Sequence, residues 1–191
     1  MKYLIYIYNV NINNHNLKTN IMNKLFLTLT MILSLTFTNQ VTAQGTIVDV
    51  AVENKDFSTL VTALTAADLV SALQADGPFT VFAPTNDAFA KIDAETLGSL
   101  LEEKNKKALA NILTYHVVAG KLTATDVVTA LKKGKGMVEL KALNGQVITV
   151  MQKDDKIWLK DTNGNVSEIV ATDVMGSNGV IHVINTVVMP K

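Results

Sequence analysis

The sequence has no cysteine and no arginine, and only three prolines among its 191 residues. Without cysteine the chain has no disulfide framework and no thiolate chemistry. Without arginine it lacks the planar fork that recognises phosphate or guanine through two parallel hydrogen bonds. The composition, 48% hydrophobic and 18% charged, is that of a globular protein. At roughly 100–200 residues per domain, the length predicts one domain behind a leader.

The beginning of the chain has the order of features found in secretory leaders. Lys24 precedes an apolar run over residues 25–37, and small residues follow at 41–43. This order predicts a signal peptide over residues 22–43. We interpret residues 1–21, which show no periodicity, as a disordered artefact of start-codon choice. A retained membrane anchor is the alternative, although the apolar run is shorter than the roughly 20 residues that span a bilayer.

Loss of this leader would leave an acidic protein. It removes three of the 17 lysines and none of the 17 acidic residues, so the remainder carries a formal charge of −3. A negative net charge disfavours nucleic acid and anionic membranes as partners. From the predicted signal peptide we expect a secreted protein, extracellular or periplasmic, with no transmembrane span after signal cleavage.

Residues 79–89, FTVFAPTNDAF, combine the end of a strand with the start of a helix. The apolar run predicts a strand covered on both faces, and Pro84 ends it because proline cannot donate a ladder hydrogen bond. Thr85 or Asn86 can cap the following helix, and Asp87 places a negative charge in its first turn.

Helical patterns fill the first half of the mature chain and strand patterns fill the second half. The apolar spacing over residues 57–64 predicts an amphipathic helix capped by Asp56. We predict an extended segment over residues 115–118, a hairpin at Asn144-Gly145, and a last strand over residues 180–189. This segregation predicts an α+β fold with short helices packed on a mostly antiparallel sheet, in a single domain.

Three blocks resemble the fasciclin (FAS1) domain family in order and spacing. They are residues 80–89, the Tyr115-His116 pair, and residues 179–190, GVIHVINTVVMP. The resemblance covers residues 44–191 as one domain. It implies a wedge with a β-sandwich-like core and a layer of short α-helices. It also implies an extracellular protein associated with cell adhesion and matrix interaction.

The resemblance also implies where adhesion residues would lie. The family's Tyr-His pair corresponds to Tyr115 and His116, and its Asp-Ile pair to Asp173 and Val174. The shorter Val174 departs from the family's pattern for integrin-type recognition. We expect Asp173→Ala to weaken adhesion with the fold intact, and His116→Ala to lower the melting temperature.

Catalytic chemistry is not predicted. His116 and His182 could form a metal pair or supply a general base, but each is more simply explained as a buried histidine with a hydrogen-bond partner. No serine lies in a nucleophile motif, and no carboxylate at ligand spacing completes a metal site. We predict no enzyme activity, no cofactor and no metal.

Three other features have ordinary structural explanations. Residues 161–165 contain the side chains of a calcium loop, but its glycine and glutamate positions hold Val166 and Thr172, so a turn is predicted. Residues 132–135, Lys-Lys-Gly-Lys, are interpreted as a solvated loop, with a polyanion contact as the minor alternative. Trp158 is the one aromatic side chain that we expect as an exposed platform, which is too little for a sugar-binding surface.

The sequence therefore predicts a secreted or cell-surface interaction module that binds a protein or a surface polymer of the envelope or matrix. The alternative is a carrier or sensor of a small apolar ligand, held between the helical layer and the sheet. The oligomeric state is not predicted.

Overall fold

The computed structural model describes residues 45–191, so the predicted start-site segment and signal peptide lie outside the described residues. The helices are α1 Ile47–Glu53, α2 Ser58–Ala66, α3 Val70–Gln74, α4 Asn86–Phe89, α5 Ala94–Leu100, α6 Lys106–Tyr115 and α7 Ala124–Lys133, with 3-10 turns at Lys55–Phe57 and Glu103–Asn105. The strands are β1 Phe79–Pro84, β2 Val117–Ala119, β3 Met137–Lys141, β4 Val147–Lys153, β5 Lys156–Lys160, β6 Val166–Gly176 and β7 Gly179–Ile184. Within this part of the chain, no helix has the length and apolar character needed to cross a bilayer.

Side-chain caps mark the first residues of α1, α4, α5 and α7. Capping boxes open α1 and α7, with the hydroxyls of Thr46 and Thr123 accepting hydrogen bonds from backbone N–H groups in the first turn. The prediction that Asp56 caps α2 is wrong. Phe57 occupies the N-cap position of α2 and makes no side-chain capping hydrogen bond. The side-chain cap belongs to the preceding 3-10 turn, where the Asn54 Oδ1 accepts the Asp56 N–H at 2.9 Å.

The strand-to-helix prediction at Pro84 is confirmed. β1 ends at Pro84, and the Thr85 hydroxyl accepts the Ala88 N–H at 3.2 Å to open α4. Asn86 reaches further, because its Oδ1 accepts the Thr59 N–H and its Nδ2 donates to the Lys55 carbonyl. The turn after β1 therefore also holds the start of α2 in place.

The seven strands of the described residues form one mixed sheet in the order β2-β1-β7-β6-β5-β4-β3. β1 and β7 run parallel, and the other neighbouring pairs are antiparallel. A bridge between Val118 and Ala142 brings β2 back to the chain that follows β3, so the sheet is nearly closed. The predicted α+β class and mostly antiparallel sheet are confirmed.

Two hydrophobic clusters form the core. The first joins α1 to α6 with β1 and β7, and it includes Phe57, Leu60, Leu64, Phe89, Leu109, Leu113 and Ile181. The second lies on the inner side of the nearly closed sheet with α7, and it includes Phe82, Tyr115, Leu131, Ile148, Val150, Leu159 and Ile184. Each fully buried side chain of this size contributes roughly 1.5–3 kcal/mol, so the two clusters dominate the stabilisation of the sheet and its helices.

Two predicted boundaries differ from the structure. Tyr115 ends α6 and His116 lies in the following turn, so the extended segment begins two residues later, at Val117. The last strand ends at Ile184, earlier than predicted, and the Asn185 N–H that follows it donates to the Glu168 carbonyl of β6. The hairpin at Asn144-Gly145 is confirmed, and Gly145 has the positive φ of 87° that such a turn needs.

Candidate functional site

Tyr115 lies at the end of α6 and is completely buried. Its ring belongs to the second hydrophobic cluster, and its hydroxyl donates to the Val147 carbonyl oxygen at 2.9 Å. The side chain joins the helical layer to β4. Because none of it reaches solvent, it cannot itself touch a partner in this conformation.

His116 follows Tyr115 and is 2% exposed. Its Nδ1 lies 2.8 Å from the Ile112 carbonyl, and its Nε2 accepts the Val188 N–H at 3.3 Å. A backbone N–H can only donate, so the ring proton is on Nδ1. Burial lowers the pKa of His116 to about 4, against the opposing effect of the Ile112 hydrogen bond. The ring is therefore neutral near pH 7, with both nitrogens engaged.

His182, on β7, is also buried but holds its proton on the other nitrogen. Its Nε2 donates to the Leu122 carbonyl at 2.8 Å, and its Nδ1 accepts the Asp173 N–H at 3.4 Å. The ring stacks on Phe82 with the centroids 5.8 Å apart. Each histidine thus has its own set of backbone partners. In the described part of the chain, no group of three histidine or acidic side chains is placed to hold a metal ion.

Asp173 lies in a bulge of β6, between Ala171 and Val174, where the register with β7 shifts. Its backbone has a φ of 59°, in the left-handed region. Its Oδ1 accepts the Ala124 N–H at 2.9 Å, so the carboxylate helps to cap α7. Alanine would remove this acceptor and fit the backbone poorly. The structure therefore predicts a loss of stability for Asp173→Ala, in addition to the expected effect on adhesion.

Val174 is half-buried and packs against the first hydrophobic cluster, opposite Ile181. The residues just before it are the accessible ones, since Ala171 and Thr172 are exposed. We define the bulge surface as residues 171–173 of β6 together with Thr125 and Asp126, which are exposed in the first turn of α7. Thr123 lowers the pKa of Asp126 through hydrogen bonds, so this surface is acidic near pH 7.

The sequence alone does not show the wider role of Asn178, which lies in the turn between β6 and β7. Its Oδ1 accepts the Ile47 N–H at 2.9 Å, while its Nδ2 donates to the carbonyls of Leu73 and Ala75. One side chain therefore holds the β6–β7 turn to both α1 and α3. The Asn-Gly pair indicates a turn, but the partners of Asn178 are more than 100 positions away in the sequence, so local sequence does not predict them.

Two clefts open on the surface of the described domain. One, of about 430 Å³, is lined by Thr46, Gln74, Asp76, Gly77, Pro78, Lys121, Ser177, Asn178 and Gly179. The other, of about 460 Å³, is lined by Asp93, Glu95, Thr96, Ser99, Leu100, Asn105 and Ala108. Most residues that line the two clefts are polar or small, and few large hydrophobic side chains are among them, whereas an apolar ligand calls for a mainly hydrophobic pocket. The carrier hypothesis stays a prediction that these clefts do not favour.

Comparison with known proteins identifies a family. The family model described as Fasciclin domain matches residues 55–190. This span contains all three of the sequence blocks that carried the resemblance, together with the bulge surface.

Two relatives show how far the similarity extends. Protein sll1483 from Synechocystis sp. is 51% identical over 145 residues, which cover 76% of this chain and 73% of that protein. Transforming growth factor-beta-induced protein ig-h3 from Sus scrofa is 38% identical over 146 residues, again 76% of this chain but 19% of that protein. The chain thus corresponds to most of the bacterial relative and to about a fifth of the mammalian one.

A solved structure shows the same fold. It is a FAS1 domain pair from the insect cell adhesion molecule Fasciclin I, with a TM-score of 0.55 and 17% sequence identity. The similarity covers 71% of this chain and 46% of the insect chain. At this identity the similarity shows the fold alone, and it confirms the fold that the sequence predicts.

Proposed function

The chain belongs to the fasciclin domain family, and on that premise we propose that it is an adhesive interaction module. It acts outside the cytoplasm, in the extracellular or periplasmic space, where it binds a protein or a surface polymer of the envelope or matrix. The family match and the name of the insect relative, a cell adhesion molecule, support this proposal.

The bulge surface is the proposed contact. Its support is one structural observation, the hydrogen bond from the Ala124 N–H to Asp173, which holds an irregular strand segment against the start of α7. Ala171 and Thr172 are thereby presented to solvent on a fixed backbone. A preorganised loop loses little conformational entropy on binding, which is an advantage for an adhesion surface.

Tyr115 and His116 are proposed to act on adhesion through the fold. Both side chains are buried, so they support the sheet that carries the bulge surface. Val174 has a similar role, since its side chain packs inward beneath the bulge. Asp173 combines both roles, because its half-buried carboxylate caps α7 while Ala171 and Thr172, just before it, are exposed.

We propose no catalytic role. Both mature histidines use their two nitrogens in hydrogen bonds to the backbone, so neither is available as a base. For either histidine to act as a base, its ring would have to break its hydrogen bonds to the backbone. This would leave backbone groups without hydrogen-bond partners in the interior.

The proposal is tested by adhesion to the envelope fraction of the producing cell. The protein expressed from its full-length gene is applied to coated wells, beside the variant Thr172→Arg and the control Ser71→Arg. Both positions are exposed, but Ser71 lies on α3, away from the bulge surface. We expect Thr172→Arg to bind at least about tenfold more weakly, about 1.4 kcal/mol, and the control to bind normally. Equal binding by all three proteins would remove the bulge surface from the contact.

A further inference from the structure

A second accessible surface lies on the outer side of strands β3 to β6, on the opposite side of the strands from the second hydrophobic cluster. Residues alternate along these strands, so Ile148, Val150 and Leu159 are buried while their neighbours in sequence face outward. We call this side of the four strands the outer face. In the described chain, the helices that contact these strands are α1, beside β6, and α7, beside β3 and β4.

An apolar row crosses the outer face. Met137 pairs with Met151 on the next strand, and Met151 pairs with Trp158 on the strand after that. Met137 is 56% exposed, whereas Met151 and Trp158 are half-buried. The indole N–H of Trp158 is shielded from solvent and makes no hydrogen bond within the described residues.

Lysines surround this row. Lys156 and Lys160 flank Trp158 on the same face of β5, each about 7 Å away along the strand. Lys141 and Lys153 are exposed at the ends of β3 and β4. Lys156 pairs with Glu168 over 2.7 Å, but the other three lysines form no ion pair in the described part of the chain.

The charge of the outer face differs from that of the domain. Residues 45–191 hold 14 lysines and 17 acidic residues. The outward positions of the four strands instead hold four lysines and two carboxylates, those of Glu139 and Glu168. Two further acids, Asp154 and Asp155, lie beyond the strands in the β4–β5 turn. Unpaired lysines beside an aromatic ring on an otherwise acidic domain point to an anionic partner.

We propose that the outer face binds an acidic polysaccharide. Trp158 alone is too little for a sugar-binding surface, but Lys156 and Lys160 on the same face add the charges that a chain of acidic sugars can pair with. The C–H side of a sugar ring lies on the indole of Trp158, and the carboxylates of the chain pair with the flanking lysines. A second copy of this domain would bring lysines against lysines, which disfavours self-association. Val147, Val166 and Val170 are exposed on the same face as Met137, so a bilayer is the competing partner that the vesicle probe tests. Met151 and Trp158 lie half-buried between longer lysine side chains, where a thin polymer can reach them.

This inference goes beyond the proposed adhesion site, because it involves neither Asp173 nor the rest of the bulge surface. Its failure would leave the proposed function standing, and failure of the Thr172 test would leave this inference standing. The chain also supplies its own reporter, since Trp158 is its single tryptophan.

The test is a fluorescence titration of the protein expressed from its full-length gene. The probes are sodium polygalacturonate, neutral dextran, and vesicles of phosphatidylcholine with phosphatidylglycerol at 3:1. We expect polygalacturonate to change the Trp158 emission saturably, with an affinity that falls as salt is added, and the other probes to leave it unchanged. No response to polygalacturonate, or a response to the vesicles alone, would overturn the proposal.

Matched variants locate the contact. Lys153→Gln with Lys160→Gln removes two unpaired lysines of the outer face, and Lys55→Gln with Lys107→Gln removes two exposed lysines elsewhere. We expect the first pair to weaken polygalacturonate binding at least about tenfold and the second to leave it unchanged. Equal weakening by both pairs would mean that net charge alone attracts the polymer, against the proposal. If the first pair does not fold, Lys141→Gln gives the same comparison.

Discussion

A Cβ atom on Gly179 would lie 2.3 Å from the carbonyl oxygen of Phe79, so the parallel strands β7 and β1 meet where only glycine fits. We predict that Gly179→Ala destabilises the domain by about 3 kcal/mol or more, because backbone atoms must shift to admit the methyl group. Urea unfolding followed by circular dichroism measures this change.

Gly98 in α5 is the matched control, because no heavy atom lies within 4 Å of a Cβ built there. Gly98→Ala should stabilise the domain by up to about 1 kcal/mol, through the higher helix propensity of alanine. Equal effects of the two substitutions would contradict the close approach of β1 and β7.

The second prediction concerns acid stability. Burial lowers the pKa of His116 to about 4, below its ordinary value of 6.5, so the unfolded state takes up the proton first as the pH falls. The stability contributed by the neutral ring is complete above pH 6.5 and is lost between pH 6.5 and about 4. The loss across this window is about 3 kcal/mol, at about 1.4 kcal/mol per pH unit for one proton.

Urea unfolding at several pH values measures this loss. Asp49 and Asp126, whose pKa values are lowered by hydrogen bonds to neighbouring threonines, lose their contributions only below this window. An NMR titration of the His116 ring gives an independent check. A titration midpoint near pH 6.5 for His116 in the folded protein would show that burial does not lower the pKa of this ring.

The third prediction separates the charge of Asp173 from its hydrogen bond. Asp173→Ala should destabilise the domain by about 2 kcal/mol, because the Ala124 N–H loses its acceptor and alanine must adopt a φ of 59°. Asp173→Asn keeps an acceptor oxygen and tolerates this backbone, so its loss should be below about 1 kcal/mol. The melting temperatures of the two variants measure these losses of stability. Equal losses would show that the carboxylate charge contributes more to stability than the hydrogen bond to the Ala124 N–H.

The fourth prediction concerns Tyr115. Tyr115→Phe removes the hydrogen bond to the Val147 carbonyl and should lower stability by about 1 kcal/mol. Tyr115→Ala also empties part of the second hydrophobic cluster, so it should cost about 3–5 kcal/mol. Chemical unfolding compares the two. A phenylalanine variant as unstable as the alanine variant would mean that the hydroxyl, and not the ring, supplies most of the effect.

Short-range chemistry explains the correct predictions. The proline stop at Pro84, the helix cap at Thr85, and the turn at Asn144-Gly145 all depend on residues within four positions of one another. Their geometry is set locally, and the tertiary fold does not oppose it. The alternation along β3, β4 and β5 was likewise readable, because each strand has one buried and one solvated side.

Long-range contacts explain what the sequence did not show. The run Tyr-His-Val-Val favours a strand, yet α6 continues through Tyr115 because its ring then reaches the second hydrophobic cluster. The capping role of Asp173 depends on a helix 49 positions earlier in the chain. The burial of Tyr115 and His116, which changes how they can serve adhesion, follows from the same distant packing.

The position of β7 determines when this protein can fold. It lies between β1 and β6 in the sheet, and Phe79 on β1 pairs with Gly179 on β7. While the ribosome is still translating the region between them, β1 has emerged without this neighbour, and the first hydrophobic cluster lacks Ile181. The sheet and the first hydrophobic cluster can therefore be completed only after β7 has been translated, and until then β1 lacks its parallel neighbour.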